Sequence, residues 1–254
     1  MTLNACAEVL RQHDPDRFGM AMAAAPDDRA ALLTLYALNL ELARAPFQSG
    51  EPMLAEMRLQ WWDDRLAEMG QGAAPPLHDV LTPLCEAWGT RAGSLTPLAE
   101  ARRRDCARQP FADADQVVAY VDATAGALMA AATGALGGAD AALVADQARG
   151  AGLAAWLRAL PQLTAINMGF PLPDPAPARA LAAEGLAALD RAARAPRGAA
   201  PRRAAPALFT GAGARAVLRH IAAGADPFAP HPTLSEFRRR AALARLALTG
   251  YWRA

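Results

Sequence analysis

Helix signals recur from one end of this sequence to the other, and no stretch sustains the two-residue alternation of β-branched side chains that a half-buried strand requires. That pattern predicts an all-α protein. Asp14-Pro15 sets a capping carboxylate ahead of a proline whose missing N–H costs nothing in a first helical turn, so a helix opens there through Phe18, Met20 and Met22. Pro26-Asp27-Asp28 closes it and caps the next, Arg29 to Arg44. There Leu32, Leu35, Leu38 and Leu42 line one side, while Leu33, Tyr36 and Leu40 spread around the rest, as in a central, buried helix. After Pro46, a further helix sets Leu59, Trp62, Leu66 and Met69 at spacings of three and four, with Glu56, Gln60, Asp64 and Glu68 on another face.

Shorter helices are predicted around Val80 to Trp88 and Leu98 to Arg108, followed by a long one from Asp115 to Leu136. Its Val118, Val121, Ala125, Leu128 and Ala132 form a seam of mostly small residues that lets a neighbour approach closely. Another runs from Ala142 to about Ile166, and Pro171-Leu172-Pro173 with Pro175 and Pro177 then breaks the chain. Residues 171–232 read as less regular, with short helices between prolines. In the last helix Thr233 and Glu236 form a capping box, Leu234, Phe237, Ala241, Ala244 and Leu248 line one face, and Arg238, Arg239, Arg240 and Arg245 take the others. With no repeat of solenoid period and no low-complexity linker, residues 1–254 read as a single domain.

A 53% hydrophobic fraction is ample for a core, and a formal net charge of +1 gives no reason to expect nucleic acid, whose phosphates call for a strongly basic face. Cys6, Cys85 and Cys106 stand far apart without a CxxC pair, which suits a reducing compartment. The N-terminus lacks a basic segment followed by an apolar one, so no signal peptide is expected. Ala123 to Ala139 is built of weakly apolar residues and reads as a buried helix, short of the roughly 20 strongly apolar residues of a membrane span. The cytoplasm is the expected compartment.

Several constellations could carry chemistry. Asp64 and Glu68 make an i,i+4 carboxylate pair, but Arg65 lies beside them and a solvated helix face accounts for all three. Phe209 to Ala216 contains a glycine pattern without the strand that gives a dinucleotide fingerprint its meaning, so it reads as a helix-to-helix connection. His13, His78, His220 and His231 show no ligand spacing, and Ser49, Ser94 and Ser235 sit in no nucleophile elbow. Adjacent indoles at Trp61 and Trp62 point about 100° apart on a helix. They pack against different neighbours in the core, or one of them lines a groove or meets a partner. The arginine-rich final helix docks on the domain, or lies on an anionic membrane with Tyr251 and Trp252 at the interface.

The order Asp16-Arg17-Phe18, Arg29 with Leu35-Tyr36-Ala37-Leu38, and Arg58-Leu59-Gln60-Trp61-Trp62-Asp63-Asp64-Arg65-Leu66 resembles the squalene/phytoene synthase family. So do Tyr120 with Thr124-Ala125-Gly126, Gly150-Ala151-Gly152-Leu153-Ala154 leading into Trp156-Leu157-Arg158, and Leu172-Pro173. The resemblance covers about the first two thirds of the chain and implies a helical bundle of the isoprenoid synthase type. In the enzymes it also implies two aspartate motifs that hold magnesium and diphosphate. Their acidic positions fall near Ala43 and Phe47 and at Ala159 and Leu163, and Glu41 is one residue out of register.

The pattern is most similar to the non-catalytic branch that includes the mitochondrial complex I assembly factor of squalene/phytoene synthase type, which shares the Arg-Leu-Gln-Trp-Trp signature. That resemblance implies a catalytically degenerate pseudoenzyme that assists assembly through a protein partner, with Arg58, Trp61 and Trp62 as candidate partner-surface residues. It implies an inherited cavity lined by Tyr36, Leu40, Ala43, Phe47, Ala125, Met129, Leu157 and Ala159, with no catalytic residue and no metal ligand. The alternatives are an isoprenoid or prenyl-diphosphate binding protein, and a head-to-head prenyl-diphosphate synthase whose metal site is displaced. Magnesium is expected as a cofactor only for the last, and peripheral membrane contact through residues 234–252 is the alternative to a purely cytoplasmic location.

Overall fold

The computed structural model describes residues 2–196, 198–231 and 234–253, and every regular element among them is helical. Where the sequence offers no linker to divide the chain, its contacts gather into two compact units, residues 1–107 and 108–254.

The first unit opens with α1 (Leu3–His13) and α2 (Pro15–Ala23), joined by Asp14, whose carboxylate accepts from the Arg17 backbone N–H at 3.1 Å. That is the cap expected from Asp14-Pro15. A short 3₁₀ turn at Pro26–Asp28 leads into α3 (Arg29–Arg44), which is buried over nearly its whole length from Leu32 to Asn39 and again at Leu42. Each leucine removed from water there contributes about 1.5–3 kcal/mol. Accordingly α1, α2 and α5 (Leu81–Trp88) all pack on α3, and Trp88 Nε1 donates to the Ala31 carbonyl at 3.1 Å to fix the α5 contact.

Between them α4 (Pro52–Gly70) buries Leu59, Trp62, Leu66 and Met69, the stripe its periodicity predicts. It crosses the 3₁₀ segment Gly89–Leu95 at Gly70, where a Cβ would stand 2.9 Å from the Gly93 Cα. Only paired glycines let the two backbones meet that closely. The short α6 (Thr96–Glu100) and α7 (Arg103–Cys106) complete the unit.

In the second unit α8 (Ala114–Val121) and α9 (Ala127–Ala135) form one continuous rod interrupted by a π-helical turn at Asp122–Gly126. By length and composition the rod could cross a membrane, a test that core helices of soluble proteins also pass. Here it buries Val117, Val121, Leu128, Met129 and Ala132, whereas Val118 and Ala125 of the expected seam are partly exposed.

Helix α10 (Ala141–Ala165) is the centre of the unit, packed by the π turn, by α11 (Pro175–Ala193) and by α13 (Ala214–Ala222). Gly152 is the contact point with the π turn: a Cβ there would lie 2.5 Å from Val121 Cγ1 and 2.8 Å from Ala125 Cβ. Pro161 inside α10 cannot donate to the carbonyl four residues back. That carbonyl, on Leu157, meets His231 Nε2 at 3.2 Å instead, which gives this histidine a structural role.

Residues 171–232 hold more regular structure than the prolines suggest. Pro175 and Pro177 sit in the first turn of the 19-residue α11, where a missing N–H is harmless, and Asp174 caps it. The short α12 (Ala205–Leu208) precedes the Phe209–Gly213 connection, as expected of that glycine-containing stretch.

The last helix, α14 (Glu236–Thr249), is capped by Ser235; the expected cap residue Thr233 lies outside the described residues. Of its side chains only Leu246 is buried, while Phe237 and Leu248 are 81% and 75% exposed, so the face of α14 predicted to pack is turned to solvent. Trp252, beyond it, is buried and lines a small pocket with Leu189 and Ala193.

Candidate functional site

On α3, Tyr36 is fully enclosed, and burial above all pushes its phenol pKa well up, against a smaller opposing effect of Arg17. Arg17 lies over the Tyr36 ring at 5.9 Å and bridges to Asp14 at 2.7 Å, so the first motif of the chain converges on the helix expected to form the cavity wall. Leu40 and Ala43 follow on the same helix and are partly buried. Phe47, in the 3₁₀ turn Ala45–Phe47, is 44% exposed.

The second unit carries the other candidates. Met129 and Leu157 are buried, Ala125 and Ala159 half-buried. Ala125 belongs to the π turn and touches α10 at Gly152, so the Thr-Ala-Gly and Gly-Ala-Gly segments of the sequence meet in space. Trp156, from the Trp-Leu-Arg segment, stacks edge-on with Phe111 at 5.6 Å and Phe170 at 5.3 Å, while Phe111 also meets Tyr120 at 5.3 Å. Much of the motif pattern is thus packing.

Beside the π turn an ion-pair chain crosses three helices. Arg149 donates through Nε and Nη2 to both carboxylate oxygens of Asp122, at 3.0 and 2.6 Å, and reaches Glu184 at 3.5 Å. Arg191 then joins Glu184 at 3.0 Å to Asp146 at 2.9 Å. The hydrogen bonding of Arg149 to the Asp122 carboxylate is the first cause of its raised pKa, which keeps the guanidinium charged.

Ala43, Phe47, Ala159 and Leu163 have no oxygen side chain to offer a hard cation, so these positions do not fit a magnesium–diphosphate site. Among the described residues no three His, Cys, Asp or Glu side chains gather as a metal-holding group. The one carboxylate pair singled out by spacing is engaged locally: Gln60 donates to Asp64 at 2.7 Å and Arg65 to Glu68 at 2.5 Å. Arg103 binds Gln60 and Glu100 at 2.7 and 2.5 Å and lies 4.0 Å from Asp63, completing a polar face on α4.

The tryptophan pair divides its work. Trp62 is buried, Trp61 is 37% exposed, their rings meet edge-on at 5.1 Å, and His78 packs against both. Trp61 continues an exposed stripe on α4 through Met53 and Met57, 74% and 61% exposed, at successive spacings of four. Arg58 lies beside that stripe, with Nη1 buried and without a hydrogen-bond partner.

Comparison with known proteins follows the same lines. The family model described as squalene/phytoene synthase matches residues 10–165, more than half of the chain. The chain belongs to the squalene/phytoene synthase family. A crystal structure of a dehydrosqualene synthase in complex with ligand superimposes with a TM-score of 0.77 at 11% identity, over 96% of this chain and 94% of that one. At that identity the likeness establishes the isoprenoid synthase fold. No curated protein sequence matches the chain.

Sequence reasoning passed over one concave feature. A groove of about 480 Å³ runs between α13 and α14 in the second unit and includes none of the predicted cavity residues. Its arginines come from α13, from α14 and from Arg253 beyond α14, and only the docked helices bring them together.

Proposed function

We propose that this member of the squalene/phytoene synthase family is catalytically degenerate and acts as an assembly or interaction factor, on the pattern of the complex I assembly factor it resembles. The observation that carries the reading is the side-chain chemistry at the four motif positions. Ala43, Phe47, Ala159 and Leu163 cannot supply the negative charge that holds magnesium against a diphosphate leaving group.

The Met53, Met57 and Trp61 stripe on α4 supports the interaction half of the proposal. Large apolar side chains set side by side at helical spacing and open to solvent are the usual material of a partner-binding face. Methionine adapts its shape, and tryptophan supplies a rigid anchor.

Purified protein incubated with Mg²⁺ and farnesyl or geranylgeranyl diphosphate is expected to yield no hydrophobic product; a head-to-head product overturns the proposal. Cells whose only copy carries Met53→Glu with Met57→Glu are expected to accumulate the protein normally yet show the same defect in respiratory complex I as cells lacking it, read on native gels. Normal complex I in cells lacking the protein sinks the assembly role.

A further inference from the structure

The groove between α13 and α14 concentrates positive charge in a chain whose formal net charge is only +1. Arg215 and Arg219 enter it from α13 at a spacing of four, and Arg238 and Arg245 from α14 at a spacing of seven, so each pair shares one helix face. Arg253 also lines it. Among the described residues no carboxylate lines the groove.

Arg215 is held from outside by Asp190 at 2.6 Å, and that hydrogen bond is the first cause of the low Asp190 pKa. Arg219 and Arg238 make no ion pair with a described carboxylate. Arg245 instead stacks on the Tyr251 ring at 3.8 Å, which orients its guanidinium. Arg253 rests on Trp252 at 4.8 Å and donates to the Ala195 carbonyl, leaving its buried Nε without a hydrogen-bond partner. Asp190 balances one charge on the α13 side, and the like charges of Arg238, Arg245 and Arg253 that face it across the groove are eased further when an anion arrives. Guanidinium forks match phosphate oxygens best.

The remainder of α14 indicates where the phosphate resides. At 100° per residue, Phe237, Ala241, Ala244 and Leu248 form a stripe centred about 90° around the helix from the groove-facing Arg238 and Arg245, and roughly opposite buried Leu246. Phe237 and Leu248 stand almost wholly in solvent, and Tyr251 beside the groove is 42% exposed. An arginine groove edged by protruding apolar side chains is complementary to a membrane surface, with phosphate at headgroup level and acyl chain just below.

We propose that the α13–α14 groove is a binding site for the phosphate headgroup of an anionic phospholipid, with Phe237 and Leu248 entering the membrane beside it. The inference stands apart from the assembly reading, because it concerns a different unit surface and neither prenyl transfer nor its absence bears on it.

The full chain is mixed with sedimenting vesicles of phosphatidylcholine, with and without phosphatidic acid, and separately titrated with inorganic phosphate. Binding to the anionic vesicles alone is expected. It should fall by on the order of tenfold or more in Arg219→Gln with Arg245→Gln, fall again in Phe237→Ser, and persist in Arg11→Gln, an exposed arginine of the first unit. Circular dichroism confirms the fold of each variant, and the single Arg238→Gln repeats the test should the double variant misfold. Equal binding to neutral vesicles, or anionic binding that survives the arginine substitutions, overturns the site. Phosphate binding without vesicle binding overturns the lipid assignment in favour of a soluble phosphate ester.

Discussion

Cys6 is sealed within the first unit, and its thiol lies 3.5 Å from the Asp79 carbonyl. Burial first, and the Asp79 charge second, push its pKa from 9.0 up to about 11. A thiol ionises to an anion, so a folded pKa above the unfolded one means that the unfolded chain loses its proton first as pH rises. The stability contributed by protonated Cys6 is therefore complete below about pH 9 and is lost towards about pH 11. Tyr36, also buried with a raised pKa, adds to the loss at the alkaline end. Urea unfolding of wild type and Cys6→Ala across this range isolates the thiol: the stability difference between them should shrink in favour of the variant as pH rises. A difference that stays constant from neutral pH to the alkaline limit contradicts the buried thiol. Nothing in the Asn-Ala-Cys-Ala neighbourhood announces this environment, since it depends on Asp79, far along the chain.

At the scale of elements, α10 meets the π turn in close contact at Gly152. Replacing Gly152 by Ala puts a methyl 2.5 Å from Val121 Cγ1, a distance real side chains do not tolerate, with Ala125 blocking the alternative. Overpacking of this kind costs about 1–3 kcal/mol, which urea unfolding of Gly152→Ala should register, whereas Gly134→Ala, with open space around it, should stay within about 0.5 kcal/mol of wild type or gain stability from helix propensity. The helices themselves were readable because α3, α4 and α10 repeat apolar residues at helical spacing and begin at Asp, Pro or both. The π turn was not, because Asp-Ala-Thr-Ala-Gly carries no mark of a widened turn; Gly152 demands it only once α10 is docked. Helix α11 was misjudged for the opposite reason, its prolines being punctuation in the abstract but harmless in a first turn. The arginine groove stayed hidden because α13 and α14 each show an ordinary basic face, and only their juxtaposition makes a site.

Across the whole molecule there is no lysine, so every Lys/Arg charge is an arginine, and most of its carboxylate contacts lie at the surface. Even the three-helix chain at Arg149 is partly open to water, with 30% of that side chain exposed. Pairs in such settings contribute about 0–1 kcal/mol each and are screened further as salt rises. The leucine-rich centre of α3 and the Phe111–Trp156–Phe170 cluster dominate stability, and salt does not weaken apolar burial. Sodium chloride should therefore act very differently on two properties of one preparation. Between low and molar salt the urea stability should change by under about 1 kcal/mol, while vesicle binding through Arg219, Arg238 and Arg245 should collapse as the Debye length shrinks to a few ångströms. If stability and membrane binding were lost together, the arginines would be part of what holds α13 and α14 in place. If binding alone is lost, the same charges stand free of the fold and are available to a ligand.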